Sequence, residues 1–556
     1  MKIKAAIFLL TISAFAFSAE AQNVISPPVT SFNPDTTLPK VNVPEFVVTG
    51  RAQIELPMAA KPSVEIDSSY FQGKTISDIG MKLPADKSLS NQERDMGNES
   101  PGLFARASIG HFMTTDYLLS GSGNVGGYLI DGSLAGDYTS GFIANTISRN
   151  FSIRGGASRT YGVDGPFKAT NYLDLGYSRS SYFLYGQLPA PPSLRRTDDA
   201  AVRLVSDMEF GDVPFAVRLG LNRFSVDDLW NSVQSLLRLG AAARFFLGSG
   251  SVGLDGNFRF GTHTQQPNNT INILPAPATA LDRSLYDLSV GAAYSNGAGP
   301  FKYSLGVTYY QYRDDSSSGI AKLYPKLSVD YRVTGVFSLF GRFSGDIRQA
   351  ELSGLISTDR FLGAPIILRN TQNYADIVIG GRIGVLISLT IIPEFGFEAS
   401  KFYPVFVSYP LNNSQLFYAE RASIFSASIT ASYRTENFHS DATLRLQRGQ
   451  TDLLTSIPNL APLDLNLSAS YDLTSNIEAK GWFLFLSSRY SDPSLATKLA
   501  PVSLLNFRLS YHTKIVTLPL TLFVDGSNLL NQKYFIWQGY QEFPLTLSVG
   551  LSTRIF

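Results

Sequence analysis

The chain has no cysteine among its 556 residues. This absence excludes disulfide bonds, thiolate metal sites and a cysteine nucleophile, and it excludes the lipidated cysteine that anchors a lipoprotein. Histidine is also scarce, since His111, His263, His439 and His512 lie far apart without the i, i+4 spacing of a metal site. We therefore expect no metal and no other cofactor.

Charge is sparse and balanced. Charged residues make up 16% of the chain, whereas about 25% is usual in soluble proteins, and the formal net charge is +1. This balance provides no long-range field that would attract nucleic acid. Because the mean hydropathy is only +0.03, apolar and polar residues must be interleaved along the chain.

The N-terminus lacks an apolar run long enough for a membrane helix. Residues 1–21 combine two lysines, an apolar stretch from Ala5 to Phe17 and small residues at Ala19 and Ala21. A helix needs about 20 apolar residues to cross the hydrocarbon. The pattern therefore predicts a cleaved signal peptide rather than an anchor.

Two-residue alternation of apolar and polar side chains begins near Gly102. Residues 22–101 are rich in proline and are interpreted as a tether or a small periplasmic segment. In 102–556, alternating segments such as 301–309 and 463–473 are separated by turn residues. About twenty such segments are too many for one open sheet, and a closed barrel leaves no unpaired edge in lipid. The sequence predicts an all-β fold, a transmembrane antiparallel β-barrel of about 20 to 22 strands.

Two stretches offer competing interpretations. The apolar stretch from Ile377 to Ile392 contains three glycines, an arginine and many β-branched residues, so we predict two strand pieces that end at Pro393 rather than a helix. Gly121, Gly123 and Gly126 match a dinucleotide-binding pattern, but two-residue alternation continues after them. We interpret them as a glycine-rich hairpin turn.

Arginines recur at the polar phase of the later strands. They admit two interpretations: a basic lumen that attracts anionic solutes, or a packed lumen in which arginines pair with Asp and Glu across strands. The candidate lumen residues are Arg342, Arg434, Arg445, Arg489 and Arg508.

Four motifs follow one another in the C-terminal third: Trp482–Tyr490, Phe523–Tyr534, the turn Trp537–Tyr540 and the last strand Leu545–Phe556. In this order they resemble the TonB-dependent receptors of Gram-negative outer membranes, and NLLNQKY in the second motif is similar to the family's penultimate hairpin signature. The resemblance implies transport across the outer membrane. It also implies that Phe556 belongs to the signal read by the barrel-assembly machinery.

A segment near the mature N-terminus resembles the TonB box of that family, which adds as a β-strand to the energy-transducing protein TonB. Its residues are Glu45, Phe46, Val47, Val48 and Thr49, followed by Gly50 and Arg51. The resemblance therefore implies TonB as a partner.

Two features depart from the family pattern. Only about 50 residues separate Arg51 from Gly102, too few for a complete plug domain, so a truncated or absent plug is expected. In the last strand, Leu545, Leu547, Val549 and Leu551 share one face, whereas Phe556 has the opposite parity. We expect a β-bulge near Thr553 to restore its phase.

These features leave two functional hypotheses. The first is a TonB-dependent-receptor-like transporter that takes up a bulky nutrient, whether a small molecule or a glycan. The second is a plugless passive channel or an outer-membrane scaffold that binds a partner protein. No enzyme is expected, because His439 and Ser440, the one adjacent pair of this kind, would point to opposite faces of a strand. Outer-membrane lipid is the expected surroundings, with no nucleic-acid partner.

Overall fold

The structure is a computed structural model. It describes residues 102–162, 167–186, 192–268, 280–317, 319–386, 388–408 and 414–555.

Almost all regular structure in these residues is β-strand. There is one α-helix, α1 (Leu352–Thr358), and a 3₁₀ turn at His111–Met113. Among the described residues, no helix is long and apolar enough to cross a membrane. The strands are β1 (Gly102–Gly110), β2 (Thr115–Val125), β3 (Tyr128–Thr139), β4 (Ser148–Tyr161), β5 (Phe167–Leu184), β6 (Ser193–Phe210), β7 (Val213–Asp227), β8 (Trp230–Leu247), β9 (Gly250–Pro267), β10 (Leu281–Ala298), β11 (Phe301–Arg313), β12 (Ile320–Arg332), β13 (Phe337–Arg348), β14 (Thr371–Leu386), β15 (Leu389–Lys401), β16 (Tyr403–Val407), β17 (Gln415–Ala419), β18 (Ala422–Arg434), β19 (Phe438–Thr451), β20 (Leu463–Thr474), β21 (Ile477–Leu486), β22 (Arg489–Tyr490), β23 (Lys498–Leu499), β24 (Val502–Ile515), β25 (Leu518–Ser527), β26 (Phe535–Trp537), β27 (Tyr540–Gln541) and β28 (Thr546–Ile555).

Twenty-two strands form one antiparallel sheet that closes on itself. Each pairs with its neighbour in the chain, and β1 pairs with β28 from Leu103↔Ile555 to Gly110↔Ser548, which joins the first strand to the last. The pairs β16–β17, β22–β23 and β26–β27 are small hairpins outside this sheet. The predicted barrel of about 20 to 22 strands is confirmed.

The two rims of the barrel differ. At the short-turn rim, strands are joined by tight turns, such as Gly126–Gly127 with φ of +59° and +82°. Both values lie in the left-handed region that favours glycine. The predicted hairpin turn is therefore confirmed at Gly126, whereas Gly121 and Gly123 lie within β2 rather than in the turn. At the opposite, long-loop rim, several connections are long, including 349–370 and 528–545.

Side chains alternate between the two faces of the wall. In β28 the exposed apolar residues Leu547, Val549 and Leu551 face outward, and Ile555 continues their phase. The pairing of β28 with β1 and β25 runs without a register shift through Thr553. The expected bulge at Thr553 is therefore wrong for the described residues, because Ile555 already supplies an outward apolar side chain near the end of the strand.

The stretch from Ile377 to Ile392 is divided between β14 and β15, as predicted. Pro393, however, does not end the second strand. It lies within β15 opposite Ile429 of β18, and the strand continues to Lys401. Proline is tolerated where its missing N–H is not needed for pairing, and the pairing of β14 with β15 has no partner for Pro393.

Candidate functional site

The long connections of one rim fold into the barrel and pack together. We call residues 349–370, 402–408, 414–421, 452–462, 487–501 and 528–545 the loop layer. Burial of apolar surface holds the layer to the wall, at about 25 cal/mol per Å². The main cluster combines layer residues Leu352, Leu355, Phe361, Leu362, Ile366, Leu368, Phe406, Ile536, Trp537 and Tyr540 with inward-facing wall residues Phe224, Leu236, Leu285, Leu484 and Leu504.

Residues 349–370, the inserted segment, extend far into the barrel. Helix α1 buries Leu352 and Leu355 in the cluster. Glu351, directly before it, reaches Arg238 near the middle of the 18-residue strand β8. The segment therefore occupies the lumen between the rim and the middle of the wall.

Two glutamines of the wall fix the backbone of the inserted segment. The side-chain oxygen of Gln234 accepts a hydrogen bond from the N–H of Leu352 at 2.9 Å, and that of Gln265 accepts one from the N–H of Ile366 at 3.1 Å. All four residues are buried. Both bonds lie away from water, where a lost partner costs about 1–3 kcal/mol.

Arg195 joins the wall to the middle of the segment. Its guanidinium group is fully buried and pairs with the carboxylate of Asp228. Nη1 donates to the backbone oxygen of Arg360 at 2.8 Å, and Nη2 donates to that of Leu362 at 2.7 Å. One buried cation thus satisfies a carboxylate and two carbonyls.

Asn370 fixes the second stem of the segment. Its N–H donates to Asp314 at 2.9 Å, and its side-chain amide donates to Asp287 at 2.7 Å. The N–H of Ala350 donates to the Asn370 side-chain oxygen at 2.9 Å. Because Ala350 and Asn370 stand at the two ends of the segment, this contact closes the loop at its base.

Aromatic side chains join the inserted segment to the connection 528–545. The ring of Phe361 stacks on that of Tyr540, with centroids 3.5 Å apart and planes at 14°. Tyr185 contacts both rings edge-on and donates to the backbone oxygen of Gln541 at 2.8 Å. Two connections that start from different parts of the wall therefore meet inside the barrel.

The remaining connections are joined to this centre by buried polar contacts. Nη2 of Arg489 donates to the backbone oxygens of Phe535 and Ile536 at 3.1 and 2.9 Å. Burial lowers the pKa of Arg489 to about 10. The side chain of Asn459 donates to the oxygen of Phe406 at 3.0 Å. The loop layer is thus one connected body rather than a set of separate loops.

The acidic side chain of Asp359 lies within the layer and, unlike that of Asp228, is not paired with an arginine of the described residues. Asp359 is fully buried and accepts a hydrogen bond from the N–H of Phe361 at 2.9 Å. Burial raises its pKa to about 7, although Ser414, Arg195 and Arg360 act in the opposite direction. Its carboxyl group therefore titrates close to neutral pH.

The arginines predicted for the lumen occupy two kinds of position. Four lie on the inward face of the wall. Arg508 pairs with Asp525 at 2.6 Å, Arg445 stands opposite Asp464, and Arg342 lies over the Phe340 ring at 5.3 Å. Arg434 is an exposed residue opposite His439. Arg489 is not on the wall but in hairpin β22–β23 of the loop layer.

Other predicted residues lie outside the described part of the chain. These are the signal peptide, the segment 22–101 with Glu45, Phe46, Val47, Val48 and Thr49, and the terminal Phe556.

Several residues that hold the loop layer together were not singled out from the sequence. Arg195, Asp228 and Glu351 are ordinary charged residues at strand ends or in a loop, and their partners are distant in the chain. A signal was nonetheless present, because the connection 349–370 contains many leucines and isoleucines for an external loop.

The histidines form no catalytic or metal cluster in the described residues. Within them, no group of three or more His, Asp and Glu side chains could hold a metal. His439 contacts Asp441 at 2.6 Å, and Ser440, one position along β19, has the opposite parity. His263 is buried against Asp315 at 2.7 Å. Both histidines are thus paired with a carboxylate.

A groove of about 800 Å³ crosses strands β4 to β9 on the outer face of the wall. Its lining is largely apolar, with Leu175, Val202, Leu221 and Phe260 among the exposed side chains. Because these residues share the outward parity, the groove faces away from the lumen and the loop layer.

Similarity to solved structures is extensive along the chain but weak in sequence. The FrpB iron transporter from Neisseria meningitidis shares 12% identity, with a TM-score of 0.63 over 84% of this chain and 83% of that one. The siderophore receptor PiuA from Acinetobacter baumannii shares 10%, with a TM-score of 0.61 over 82% of each chain. The ferric-catecholate import receptor Fiu from Escherichia coli K12 shares 12%, with a TM-score of 0.59 over 83% and 82%.

No family model and no curated protein sequence matches the chain. At such identities the likeness concerns the fold, which supports the resemblance first seen in the C-terminal motifs. The described chain has the fold of the TonB-dependent receptors, a closed β-barrel of 22 antiparallel strands.

Proposed function

We propose that the protein is an outer-membrane transporter that takes up a bulky nutrient through its barrel, and that the loop layer is the gate at the outer end. The stacked pair Phe361–Tyr540 carries this proposal, because it joins two long connections to each other inside the barrel. A 22-stranded barrel is wide enough that its lumen must be obstructed to prevent leakage.

The orientation follows from the two rims. Outer-membrane barrels have short periplasmic turns and longer extracellular loops, so the long-loop rim faces the exterior. Energy for opening would come from TonB, which would pair with the segment Glu45–Thr49 by strand addition. The similar structures are named for iron, siderophore and copper transport, and we extend to this chain only the uptake of a bulky nutrient.

Single-channel conductance in planar bilayers tests the gate. The full-length protein is expected to give little steady current, whereas Phe361→Ala with Tyr540→Ala is expected to give frequent large openings. Phe425→Ala is a matched control, because Phe425 packs on Phe397 on the outer face of the wall. A large, persistent current from the unsubstituted protein would instead support the passive-channel hypothesis.

A peptide of residues 43–51 tests the coupling to TonB. It is expected to bind a periplasmic TonB domain, and the same peptide with Val48→Pro is expected to lose binding because proline cannot donate to a β-ladder. If the two peptides bound equally well, or if neither bound, the energised mechanism would be excluded.

A further inference from the structure

We propose that Arg238 and Arg259 form an anion-binding site inside the lumen, and that Glu351 of the inserted segment occupies this site when the layer is closed. The ligand class is a tetrahedral oxyanion, such as a phosphate group. The inference deepens the proposed function, on which its role in transport rests.

The two arginines are brought together by the register of the wall. Arg238 of β8 and Arg259 of β9 stand directly opposite each other and face inward. On the other side of Arg238, Gly220 of β7 separates it from Arg203 of β6 in the same row. Like charges directly opposite each other destabilise a sheet unless an anion lies between them. In the same row Asp174 stands opposite Arg203 and Asp287 opposite Arg259, whereas Arg238 has Gly220 on one side and Arg259 on the other. Arg238 is therefore the arginine of the row that needs a carboxylate from outside the wall.

Glu351 supplies that partner from the loop. Its Oε1 atom lies 2.7 Å from Nη2 of Arg238 and 3.6 Å from Nη1 of Arg259. Arg259 also pairs with Asp287, through Nε at 2.6 Å. The carboxylate of Glu351 is thus the direct ion-pair partner of Arg238 in the closed layer.

The carboxylate of Glu351 does not use all the donors at the site. The Arg259 side chain is only 3% exposed, and its Nη1 atom is buried without a hydrogen bond. An unsatisfied buried donor is unfavourable. A tetrahedral oxyanion presents more acceptor oxygens than one carboxylate, and arginine forks bind such groups through paired hydrogen bonds. A free oxyanion can therefore replace Glu351 with better hydrogen bonding.

The same geometry determines how a solute reaches the site and what displacement of Glu351 does to the inserted segment. The Arg238 side chain is 38% exposed, so a solute in the lumen can reach it. Glu351 directly precedes α1, and the N–H of the next residue, Leu352, is held by Gln234. Exchange of Glu351 for a ligand anion would remove the ion pair with Arg238 and leave the first stem held by the contacts of Ala350 and Leu352 alone. This weakening of closure would couple anion binding to opening of the layer.

A single cysteine reports this opening. Thr358→Cys places a thiol at a buried position of α1, and it is unique because the chain has no other cysteine. The rate of maleimide labelling is measured at pH 7 with millimolar inorganic phosphate or with chloride at equal ionic strength. We expect phosphate to accelerate labelling about tenfold relative to chloride.

Three further variants, each combined with Thr358→Cys, make the test specific. Glu351→Gln is expected to label rapidly without phosphate, and Arg238→Gln is expected to lose the phosphate effect. Arg244→Gln is the control and should behave as the unsubstituted protein. Arg244 faces inward on β8, six residues, or about 20 Å, from Arg238. Heat-dependent gel mobility verifies that each variant has folded.

Calorimetric titration with phosphate provides a second measurement. Glu351→Gln should bind phosphate about tenfold more tightly than the unsubstituted protein, because its site is no longer occupied by a carboxylate. Equal affinities, a phosphate effect no larger than that of chloride, or a full effect in Arg238→Gln would each overturn the anion site. The conductance test of Phe361 and Tyr540 does not depend on these outcomes, so the gate and the anion site can fail separately.

Discussion

The side chain of Arg195 in β6 and that of Asp228, directly after β7, form a buried ion pair, with Nη2 of Arg195 2.5 Å from Oδ2 of Asp228. Asp228 also accepts the N–H of Trp230 through its other oxygen at 2.8 Å. The pair holds the arginine where its remaining donors meet the inserted segment. A contact between neighbouring strands thus positions a loop whose stems are on β13 and β14.

Replacing this arginine is expected to loosen the loop layer. Arg195→Gln leaves the Asp228 carboxylate buried without its cation, which costs about 3–5 kcal/mol. The measurement is hydrogen exchange of the backbone amides of residues 359–363, which should accelerate. Arg195→Gln with Asp228→Asn should recover part of the loss, because the uncompensated charge is removed.

A more exposed ion pair, between β5 and β6, serves as the comparison. Arg179→Gln removes the partner of Asp198, but the arginine side chain is 57% exposed. Such pairs contribute about 0–1 kcal/mol. Acceleration at 359–363 as large as that of Arg195→Gln would show that the layer does not depend specifically on the buried pair.

The aromatic junction should contribute strongly to closure. Phe361→Ala removes the stack on Tyr540 and the edge contacts with Tyr182 and Tyr185, and truncation of a buried phenylalanine costs about 3–5 kcal/mol. The free energy of layer opening, obtained from exchange in 352–362, should fall by a comparable amount. Unchanged exchange would place the closing contacts elsewhere.

Closure is expected to weaken as pH rises from about 4 to 7. The pKa of Asp359 is about 7 in the closed layer and 3.8 in an unperturbed carboxyl group, so the closed layer binds the proton more tightly. Its contribution to stability is complete below pH 4, is lost as pH rises through 7, and then stays constant. Channel openings should therefore be more frequent at pH 8 than at pH 5.

Asp359→Asn isolates this effect. The amide remains uncharged at every pH and keeps an oxygen for the N–H of Phe361. Openings of this variant should be as rare at pH 8 as at pH 5. If the variant retained the pH dependence of the unsubstituted protein, another group would have to carry it.

The parity of the last strand predicts a position-specific effect on membrane insertion. Leu551→Arg puts a charge on the outward apolar face, at a cost of about 2–4 kcal/mol near the middle of the membrane. Ser552→Arg, one residue later, points into the lumen and should cost much less. Urea unfolding of the two variants in lipid vesicles measures the difference, and equal effects would contradict the assigned faces.

The barrel was predictable because its pattern is local. Apolar and polar residues alternate with a period of two within each strand, as in 463–473. Tight turns such as Gly126–Gly127 follow from residue type alone. Neighbouring strands pair in chain order, so the one distant pairing of the wall is that of β1 with β28, and this closure is expected because it leaves no unpaired edge. The phase of the last strand was predicted wrongly, because the bulge expected near Thr553 is absent from the described pairing and Ile555 continues the outward face.

The loop layer was not predictable, because its contacts join distant parts of the chain. Tyr185 and Gln541 are 356 positions apart, yet they share a hydrogen bond. Arg489 has the composition context of a wall residue, but it lies in a two-residue strand of the layer. Neither periodicity nor spacing indicates which loop turns inward. The direction of a loop depends on the width of the lumen and on wall side chains, such as Gln234, that bind the loop there.

The pairing of β1 with β28 has a consequence for biogenesis. Strand β28, Thr546–Ile555, joins the first described strand, Gly102–Gly110, so the cylinder cannot close before β28 has been made. The segment 528–545, which carries Tyr540, is anchored on one side by that same final strand. Closure of the wall and completion of the loop layer are therefore coupled steps. A chain truncated before β28 would lack both a closed wall and a complete loop layer.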